Sequence, residues 1–367
     1  MKRIAQGAAI ASLAIVLSAC SGGGTGAEAP TDRDFGTPEA GVVTPGILEG
    51  VTLAVADSGG ISQEGRTEAV WEPFMEESGA EVVQDSFEAA KLKAMVESGN
   101  VTWDIANTTV LDAGQYCGEL YEKLDYSMID ISKVPEGTIT NDCMVPTISY
   151  GFIVAYNTDV FGDNAPNSAA DFFDTEKFPG KRAIGLSTYV EPQVLEFALL
   201  ADGKGASERS VADIDTAISK YKSLGDDLIT WTTGAESQQQ LESGEVAMSL
   251  VWSSRGFGAT DAGAPVAPMW GEWILGVDAL TVPKGANDPE AAFAGLNFFL
   301  GEQQQTKAAE LTSFAPVNVD SRPELSPTAE TWFINDHLDT GTTIDMQFWT
   351  DNYADLESAW TKWASGS

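Results

Sequence analysis

The chain has 367 residues, with 55 acidic and 20 basic side chains, a formal net charge of -35 and a pI near 4.1. This charge excludes nucleic acid and anionic membrane surfaces as partners, because polyanions repel an acidic protein. Two interpretations of the charge stay open: it steers a cationic solute toward the protein, or it only keeps the protein soluble.

The N-terminus has the pattern of an export signal. The residues MKR precede an apolar run over 4–16, and LSAC follows at 17–20. The apolar run is shorter than the ~20 residues that a spanning helix needs, so residues 1–19 are predicted to be a cleaved signal peptide. LSAC resembles the bacterial lipobox, which implies acylation of Cys20 and attachment to the outer face of the cell membrane by lipid. A plain secretory signal with an incidental cysteine is the alternative.

Residues 20–47 are predicted to be a flexible tether. They are rich in Gly, Pro, Thr and acidic residues and contain few large apolar side chains, so they cannot bury enough surface to fold. From Val51 to Trp363 the composition is that of a globular protein, and a stretch of this length normally forms about two domains. No second apolar segment approaches spanning length.

Strand and helix patterns alternate along the globular part, and SGGISQEG at 58–65 is predicted as a polar turn. The alternation predicts an α/β fold with a mainly parallel sheet covered on both faces. The predicted strands cover 51–56, 80–86, 103–109, 149–157, 228–232, 246–252 and 276–283. The predicted helices cover about 66–77, 89–98, 192–201 and 211–223, a stretch through 238–241, and 289–300.

The ends of the predicted strands are the places to look for a ligand. In open α/β sheets, ligands bind outside the carboxyl ends of the strands, where polar loops and helix N-termini meet. Four segments lie at such ends: Asp57-Ser58-Gly59-Gly60, Asn107-Thr108-Thr109, Trp231-Thr232-Thr233-Gly234 and Trp252-Ser253-Ser254.

If Cys20 carries lipid, Cys117 and Cys143 remain, and in an oxidising compartment they are predicted to form a disulfide. Metal binding is the competing interpretation. It needs further ligands at short spacing, and the sole histidine, His337, is far away in sequence. We therefore expect neither a metal nor a cofactor.

Four stretches resemble the extracellular solute-binding proteins of the spermidine/putrescine-binding type, in the order of that family. They are SAADFFDTEKFPGKRAIG (168–185), LEFALLADG (195–203), WTTGAESQQQLESGEVAMSLVWSSR (231–255) and DALTVPKGANDPEAAFAGLNFFL (278–300). The resemblance covers nearly all of the globular part. It implies the substrate-binding component of an ABC importer, with a small solute and the permease subunits as partners and a monomeric state.

The resemblance also implies a type II periplasmic-binding-protein fold, in which two lobes, built on two mixed sheets covered by helices, are joined by hinge strands. We assign 48–153 with 281–320 to lobe 1, and 154–280 with 321–367 to lobe 2. Hinge crossings are expected at Ile153–Asn157 and Val277–Pro283, which are extended and β-branched.

Polyamine-binding members of that family hold ammonium groups with carboxylates and aromatic walls. Asp278 matches the acid of the family's hinge-strand motif. The aromatic residue two positions earlier is Gly276 here, and Gln193 stands where an acid is expected, with Glu191 nearby. The expected ligand-binding residues are Asp57, Ser58, Gly59, Asn107, Thr108, Tyr150, Tyr189, Glu191, Ser237, Trp252, Ser253, Trp273 and Asp278.

Alternatives stay open for single residues. Asp278, among apolar neighbours, needs either a ligand cation or an arginine as partner, and we favour the ligand. Tyr150, Tyr156 and Tyr189 suit a ferric-iron site, although tyrosines at strand ends are more often core rings. Trp332, Trp349, Trp360 and Trp363 are expected in the core.

The predicted solute is small and cationic, of the polyamine type. Ferric iron and a thiamine-like cation are the alternatives within the same class of protein. A cell-wall hydrolase that uses a carboxylate pair is the rival from another class, although no GxSxG or HExxH motif is present. A purely structural surface lipoprotein is the third possibility, and it predicts no stabilisation by any small molecule.

Overall fold

The computed structural model describes residues 33–187, 190–205 and 209–366. The predicted signal peptide and Cys20 lie outside these residues. Within them, the strands are β1 Thr52–Asp57, β2 Glu81–Ser86, β3 Ile105–Thr109, β4 Val145–Asn157, β5 Arg182–Gly185, β6 Leu228–Trp231, β7 Met248–Trp252, β8 Val266–Pro268, β9 Trp273–Thr281, β10 Ala315–Pro316 and β11 Gly341–Thr342.

The helices alternate with these strands, as the sequence pattern predicts. They are α1 Gly60–Arg66, α2 Glu72–Ser78, α3 Ala89–Ser98, α4 Val110–Gln115, α5 Thr158–Phe161, α6 Ala169–Phe173, α7 Pro192–Leu200, α8 Ala212–Lys222, α9 Gly234–Glu242, α10 Ser253–Asp261, α11 Pro289–Phe299, α12 Glu302–Thr312, α13 Pro327–Trp332, α14 Met346–Asp351 and α15 Tyr353–Ala364. A π-helical turn over Thr67–Trp71 joins α1 to α2.

The sheet is parallel toward its two ends and antiparallel in its middle. Strands β1, β2 and β3 pair in parallel, as do β5, β6 and β7. Between these groups, β9 pairs antiparallel with β3 and β4, and β4 pairs antiparallel with β7. The two expected mixed sheets are therefore linked through β4 and β9 into one hydrogen-bonded path, β2-β1-β3-β9-β4-β7-β5-β6. The expectation of a mainly parallel sheet was wrong for this central region.

The helix that follows β1 begins earlier than predicted. SGGISQEG was expected to be a turn, but α1 begins at Gly60 and buries Ser62, Gly65 and Arg66. Gly59 and Gly60 both have positive φ values, 73° and 58°, which explains the two glycines at this strand-to-helix turn. Arg66, the last residue of α1, is buried and contacts Asp57 on β1 and Asp278 on β9.

The C-terminal helices pack against the half of the sheet that carries β5, β6 and β7. The ring of Trp363 stacks on Tyr221 of α8 at 5.6 Å, and the indole N–H of Trp349 donates to Glu196 of α7 at 2.6 Å. Together with Trp332 and Trp360 these rings are buried, which confirms that the C-terminal tryptophans belong to the core.

The folded part of the chain begins earlier than the composition predicts, so the predicted tether is shorter. The side-chain amide of Asn297 donates to the carbonyls of Glu39 and Val42, and the N–H of Gly41 donates to the carbonyl of Asn297. Val43 is buried. The prediction that residues up to 47 are a free tether was therefore wrong for this stretch, because backbone carbonyls without apolar side chains still find a partner amide on α11.

The Sγ atoms of Cys117 and Cys143 lie 2.06 Å apart, with the Cα atoms at 5.4 Å. The pair joins the segment after α4 to the segment before β4 and lies beside a small cluster of buried side chains that includes Trp103 and Tyr121. Among the described residues, no helix combines the length and the apolar character that crossing a membrane requires.

Candidate functional site

A cleft of about 700 Å³ lies at the carboxyl ends of β1, β3, β5, β6 and β7. Its volume is in the range of small-molecule sites. The polar and charged lining comes from the strand ends and from the middle of β9. The residues that line the cleft are Asp57, Ser58, Gly59, Ser62, Ser86, Phe87, Glu88, Ala89, Asn107, Thr108, Thr109, Tyr150, Gly185, Leu186, Ser187, Glu191, Trp231, Thr232, Thr233, Gly234, Ala235, Trp252, Asp278, Phe314, Trp360 and Ala364.

Two carboxylates at one side of the cleft share an arginine. The Arg66 guanidinium donates to Asp57 at 2.6 Å and to Asp278 at 2.7 Å. The Asn107 amide donates to the same two carboxylates at 3.1 and 3.2 Å. These bonds hold Asp57 at the end of β1 and Asp278 in the middle of β9 in fixed positions. Register explains the approach, because Asp278 is paired with Thr109 at the end of β3.

Each of these carboxylates keeps one oxygen for a further partner. The bonds from Arg66 and Asn107 end on Oδ1 of Asp57 and Oδ2 of Asp278. In the described residues the other oxygens, Oδ2 of Asp57 and Oδ1 of Asp278, have no hydrogen-bond donor. The Asp278 side chain is 16% exposed, so its free oxygen is open to the cleft.

The pKa values of this group reflect burial opposed by ion pairing. Burial raises the pKa of Asp278, Arg66 opposes the rise, and the nearby charge of Asp57 adds to it. Burial disfavours the charged form of Arg66, but Asp57 and Asp278 outweigh it and raise the Arg66 pKa. Asp57 and Asp278 therefore share one arginine in a buried setting.

The structure answers the question of the Asp278 partner. We favoured a ligand cation over an arginine, and the structure shows that Arg66 is one partner of Asp278. A ligand cation as a further partner stays a prediction. Arg66 was missed because it lies 212 residues from Asp278 in sequence and was assigned only to the start of a predicted helix. The composition of the segment did not indicate that the arginine of α1 would be buried.

Aromatic rings form the other walls of the cleft. Trp231 and Trp252 meet edge to face with centroids 5.3 Å apart, and Tyr150 meets Phe314 in the same way at 6.2 Å. Gly185 allows the Trp231 ring to lie close, since a Cβ atom there would come within 2.6 Å of it. Such ring faces suit either an apolar stem or a cation.

Gly276 stands where the family resemblance implied an aromatic residue, and the structure gives the reason. Tyr150 on β4 is the direct cross-strand neighbour of Gly276 on β9. A Cβ atom at Gly276 would lie 2.3 Å from Cζ of the Tyr150 ring. The tyrosine ring therefore occupies the space that a side chain at position 276 would need.

Glu191 brings a further, buried carboxyl group to the cleft wall. It precedes α7 and makes no capping hydrogen bond, its side chain is 6% exposed, and its Oε2 has no partner in the described part of the chain. Burial raises the pKa of Glu191 to about 8, and the charge of Asp278 adds to the rise. Glu191 is therefore mostly protonated at neutral pH.

Arg255 of α10 lies directly behind the cleft wall. Its guanidinium donates to the carbonyl of Gly59 at 2.9 Å, while Nε and Nη1 have no partner among the described residues. Cβ atoms on Gly60 and Gly234 would come within 2.5 and 2.4 Å of it. Burial lowers the Arg255 pKa to about 10. The guanidinium thus lies against the first residues of α1 and α9, where positive potential already prevails.

Most of the predicted ligand residues reach the cleft. Those that line it are Asp57, Ser58, Gly59, Asn107, Thr108, Tyr150, Glu191, Trp252 and Asp278. Those that do not are Ser237, Ser253 and Trp273. Tyr189 lies outside the described residues. Sequence reasoning missed Phe87, Phe314 and Trp360 as lining residues, because their helix and loop positions carry no local polar signal.

The three residues that do not line the cleft have structural partners instead. The Ser237 hydroxyl donates to the carbonyl of Gly234 at 2.8 Å, within its own helix. The Ser253 hydroxyl accepts from the N–H of Gly151 at 3.2 Å. The Trp273 indole N–H donates to the carbonyl of His337 at 3.2 Å on the far side of β9. The structure therefore does not bring these three side chains to the lining of the cleft, contrary to our expectation.

The tyrosines of the iron alternative do not converge as far as the structure describes them. Tyr150 lines the cleft, but Tyr156 packs on Phe161 with centroids 6.4 Å apart. The described residues contain no group of three or more His, Cys, Asp or Glu side chains arranged to hold a metal ion.

The alternating βα order, the long strands shared by both halves of the sheet and a small-molecule cleft at the strand ends define a type II periplasmic-binding-protein fold. The chain belongs to the bacterial extracellular solute-binding proteins, whose family model matches residues 69–335. It is the substrate-binding protein of an ABC importer, as the resemblance implied.

Similar proteins bind different small solutes. The gamma-aminobutyric acid-binding protein of Pseudomonas aeruginosa is 29% identical over 330 residues, which cover 86% of this chain and 91% of the relative. The spermidine/putrescine-binding periplasmic protein of Escherichia coli K12 is 24% identical over 267 residues, 70% of this chain and 76% of the relative.

Solved structures give the same picture. The Atu4243-GABA receptor is 34% identical with a TM-score of 0.75, and the match covers 85% of this chain and 97% of the receptor. MotA of Agrobacterium tumefaciens B6, solved in complex with glucopine, is 30% identical with a TM-score of 0.77, covering 84% and 98%.

Proposed function

We propose that the cleft captures a small solute by its ammonium group, with Asp57 and Asp278 as the charged partners, and delivers it to the permease. The proposal rests on the two carboxylate oxygens that lack donors, one on Asp57 and one on Asp278. Arg66 and Asn107 bind the other oxygen of each carboxylate and so hold both groups in fixed positions. An ammonium group supplies three donors and one positive charge, which is what this pair needs.

The charge of the cleft favours a zwitterion over a polyamine. Asp57 and Asp278 are balanced by Arg66 and Arg255, and Glu191 is mostly protonated at neutral pH, so the buried groups sum to about zero. A dication or trication adds uncompensated charge to such a site. An ω-amino acid adds none, and two of the similar proteins are named for γ-aminobutyric acid.

A carboxylate on the solute also has suitable partners. The first residues of α9, Gly234 and Ala235, line the cleft, and backbone N–H groups at a helix N-terminus favour an anion. The unpartnered donors of Arg255 lie against Gly234 and add positive potential there.

A polyamine-like cation remains the second candidate. The observation in its favour is the further buried carboxyl, Glu191, which would match a second ammonium group once ionised. We further propose that Cys20 is lipid-anchored and that the protein acts as a monomer in front of its permease.

A thermal-shift panel on the purified protein tests the proposal. γ-Aminobutyric acid, putrescine and spermidine are compared with butylamine, which lacks the carboxylate, and with butyrate, which lacks the ammonium. We expect stabilisation by γ-aminobutyric acid of about 2.7 kcal/mol at a hundred times its dissociation constant, weaker stabilisation by butylamine and none by butyrate. Stabilisation by butyrate but not by butylamine would refute the role of the ammonium group.

A further inference from the structure

We propose that capture of an ammonium-bearing solute expels a proton from Glu191, so that binding is coupled to pH through this side chain. The inference rests on the proposed function and adds the protonation state of the site to it. It is carried by the position of Glu191, a carboxyl group on the cleft wall with one oxygen unpartnered in the described chain.

The surroundings of Glu191 explain why it holds a proton when the cleft is empty. It is almost completely removed from water, and the Asp278 carboxylate on β9 repels a second negative charge. The Trp252 side chain is the hydrogen-bonding neighbour that works in the opposite direction, and its effect is smaller than that of burial. With a pKa of about 8, the free protein carries about 0.9 proton on this group at pH 7.

The charged and titratable groups around the cleft come from several elements. Asp57 on β1 and Asp278 on β9 are acidic, and Arg66 on α1 and Arg255 on α10 are basic. Glu88, which precedes α3, is an exposed acidic residue at the edge of the cleft. Tyr150 on β4 also lines the cleft. On the far side of α7, Glu196 is neutralised by Arg209 and faces away from the cleft. Asp278 is the charged group that acts most on Glu191.

An ammonium group in this cleft changes the balance. It places a positive charge beside Asp278, and it screens the repulsion between Asp278 and Glu191. Ionisation of Glu191 then gives the ammonium group a further carboxylate partner. In the balanced step, the carboxylic acid loses its proton to the buffer, the carboxylate forms an ion pair with the ammonium, and no other bond is made or broken.

The sign of the proton exchange reports which end of the solute faces Glu191. If a solute carboxylate lies there instead, the protonated Glu191 acts as its hydrogen-bond donor and the pKa rises further, so protons are taken up. Release is therefore a specific expectation. The amine and the carboxylic acid of γ-aminobutyric acid do not contribute to the proton exchange at pH 7, because the pKa values of such groups are ~10.4 and ~4.3.

Titration calorimetry of the full-length protein with γ-aminobutyric acid tests the inference. At pH 7, titrations in phosphate and in Tris differ in buffer ionisation enthalpy, and their comparison should give about 0.9 proton released per solute bound. The dissociation constant should be about ninety-fold larger at pH 6 than at pH 9, since binding requires the ionised form of a group with a pKa of about 8.

Two variants separate Glu191 from other sources of protons. Glu191→Gln should bind without proton release and with a flat pH dependence, while Glu245→Gln, an exposed glutamate outside the cleft, should behave as the unmodified protein does. If Glu191→Gln does not fold, the buffer comparison on the unmodified protein decides alone. Binding with no proton exchange, with proton uptake, or with release retained in Glu191→Gln would overturn the inference. Failure of both γ-aminobutyric acid and putrescine to bind would instead overturn the proposed function.

Discussion

Asp278 is the more exposed of the two acids that Arg66 joins, with 16% of its side chain accessible against 2% for Asp57. It is also the acid that acts on Glu191. Its charge therefore holds Arg66 and raises the pKa of Glu191, and in the proposed function it also attracts the ammonium group of the solute. A carboxylate of this kind is costly to bury unless it is paired, and Arg66 and Asn107 provide that pairing here.

We expect Asp278→Asn to weaken binding of γ-aminobutyric acid by about 2–5 kcal/mol, because the ammonium loses a buried charged partner. Titration calorimetry gives the affinity, and thermal unfolding checks that the fold survives with Arg66 still held by Asp57. The matched control is Asp142→Asn, which removes the same charge from an exposed pair with Lys123. Unchanged affinity in Asp278→Asn would make Asp278 a structural partner of Arg66 alone.

Strands β4 and β9 form the backbone of the site, and a side-chain contact between them shapes its wall. The pairing of Tyr150 with Gly276 brings a ring of β4 over β9, where a Cβ atom would collide with it. This contact explains why the aromatic group of the cleft comes from β4 here. The glycine is therefore a packing requirement rather than a loss of binding function.

Gly276→Ala should lower the free energy of unfolding by about 1–3 kcal/mol, because the buried Tyr150 ring must move. Solute binding should weaken as well, since that ring lines the cleft. Gly205→Ala is the control, as a Cβ atom there meets nothing within 4 Å. Denaturant unfolding of both variants provides the comparison. Equal stability would mean that Tyr150 has room to turn aside.

The Cys117–Cys143 pair links the segment after α4 to the segment before β4. Cys117 follows α4 and Cys143 precedes β4, and the pair closes a loop with a sequence separation of 26. Reduction should lower the free energy of unfolding by about 3.5 kcal/mol, because the open loop gains chain entropy in the unfolded state. Labelling of the unfolded, unreduced protein should find both thiols blocked. If both residues react with the label, the two sulfur atoms are not bonded in the purified protein.

Sequence patterns predicted seven of the eleven strands and many of the helices, since burial alternates locally along each of those segments. They did not predict β5, β8, β10 and β11, or the helices α4, α5, α6, α10 and α12. They failed where the chain departs from these patterns. Helix α10, SSRGFGATD, contains two glycines and no apolar stripe, and Gly256 is needed because the Trp332 ring lies against it. Helix α1 was read as a turn for the same reason. Local composition does not show such tertiary contacts.

The candidate site likewise contains residues that the sequence predicted and contacts that it did not predict. Asp57, Asn107 and Trp252 were predicted because they end strands, and strand ends can be read from the sequence. The link from Arg66 to Asp278 spans 212 residues and depends on the direction in which α1 leaves the sheet. The protonation of Glu191 depends on burial and on Asp278, which only the folded chain brings near.

At the scale of the whole molecule, the strands that contain the proposed ligand residues Tyr150 and Asp278 also contain the expected hinges. β4 and β9 link the two parallel groups of strands, and Asp278 lies within β9. α10 also contacts the start of α1, where Ser62 and Ser254 hydroxyls lie 3.3 Å apart and Arg255 reaches Gly59. A solute that draws on Asp278 and Trp252 therefore acts on both groups of strands at once. The assignment of 48–153 with 281–320 and of 154–280 with 321–367 to two lobes stays a prediction.

The last prediction concerns how the folded body is attached to the cell. Residues near Gly41 are fixed to α11 through Asn297, so the segment between Cys20 and that point is the only length that an anchor can use. We expect Cys20→Ser to release the protein from the membrane, because an acylated cysteine is the sole attachment that the sequence predicts. Affinity for γ-aminobutyric acid should not change, since the cleft is formed by residues from Asp57 onward.

Cell fractionation followed by calorimetry on the released protein measures both effects, and Ser21→Ala, a change at the neighbouring position that keeps the acyl-accepting thiol, should remain membrane-bound. Retention of the Cys20→Ser protein in the membrane fraction would contradict lipid anchoring. A released protein with altered affinity would show that the anchor acts on the cleft. We do not expect this outcome, because the chain near Gly41 is fixed to Asn297 by hydrogen bonds.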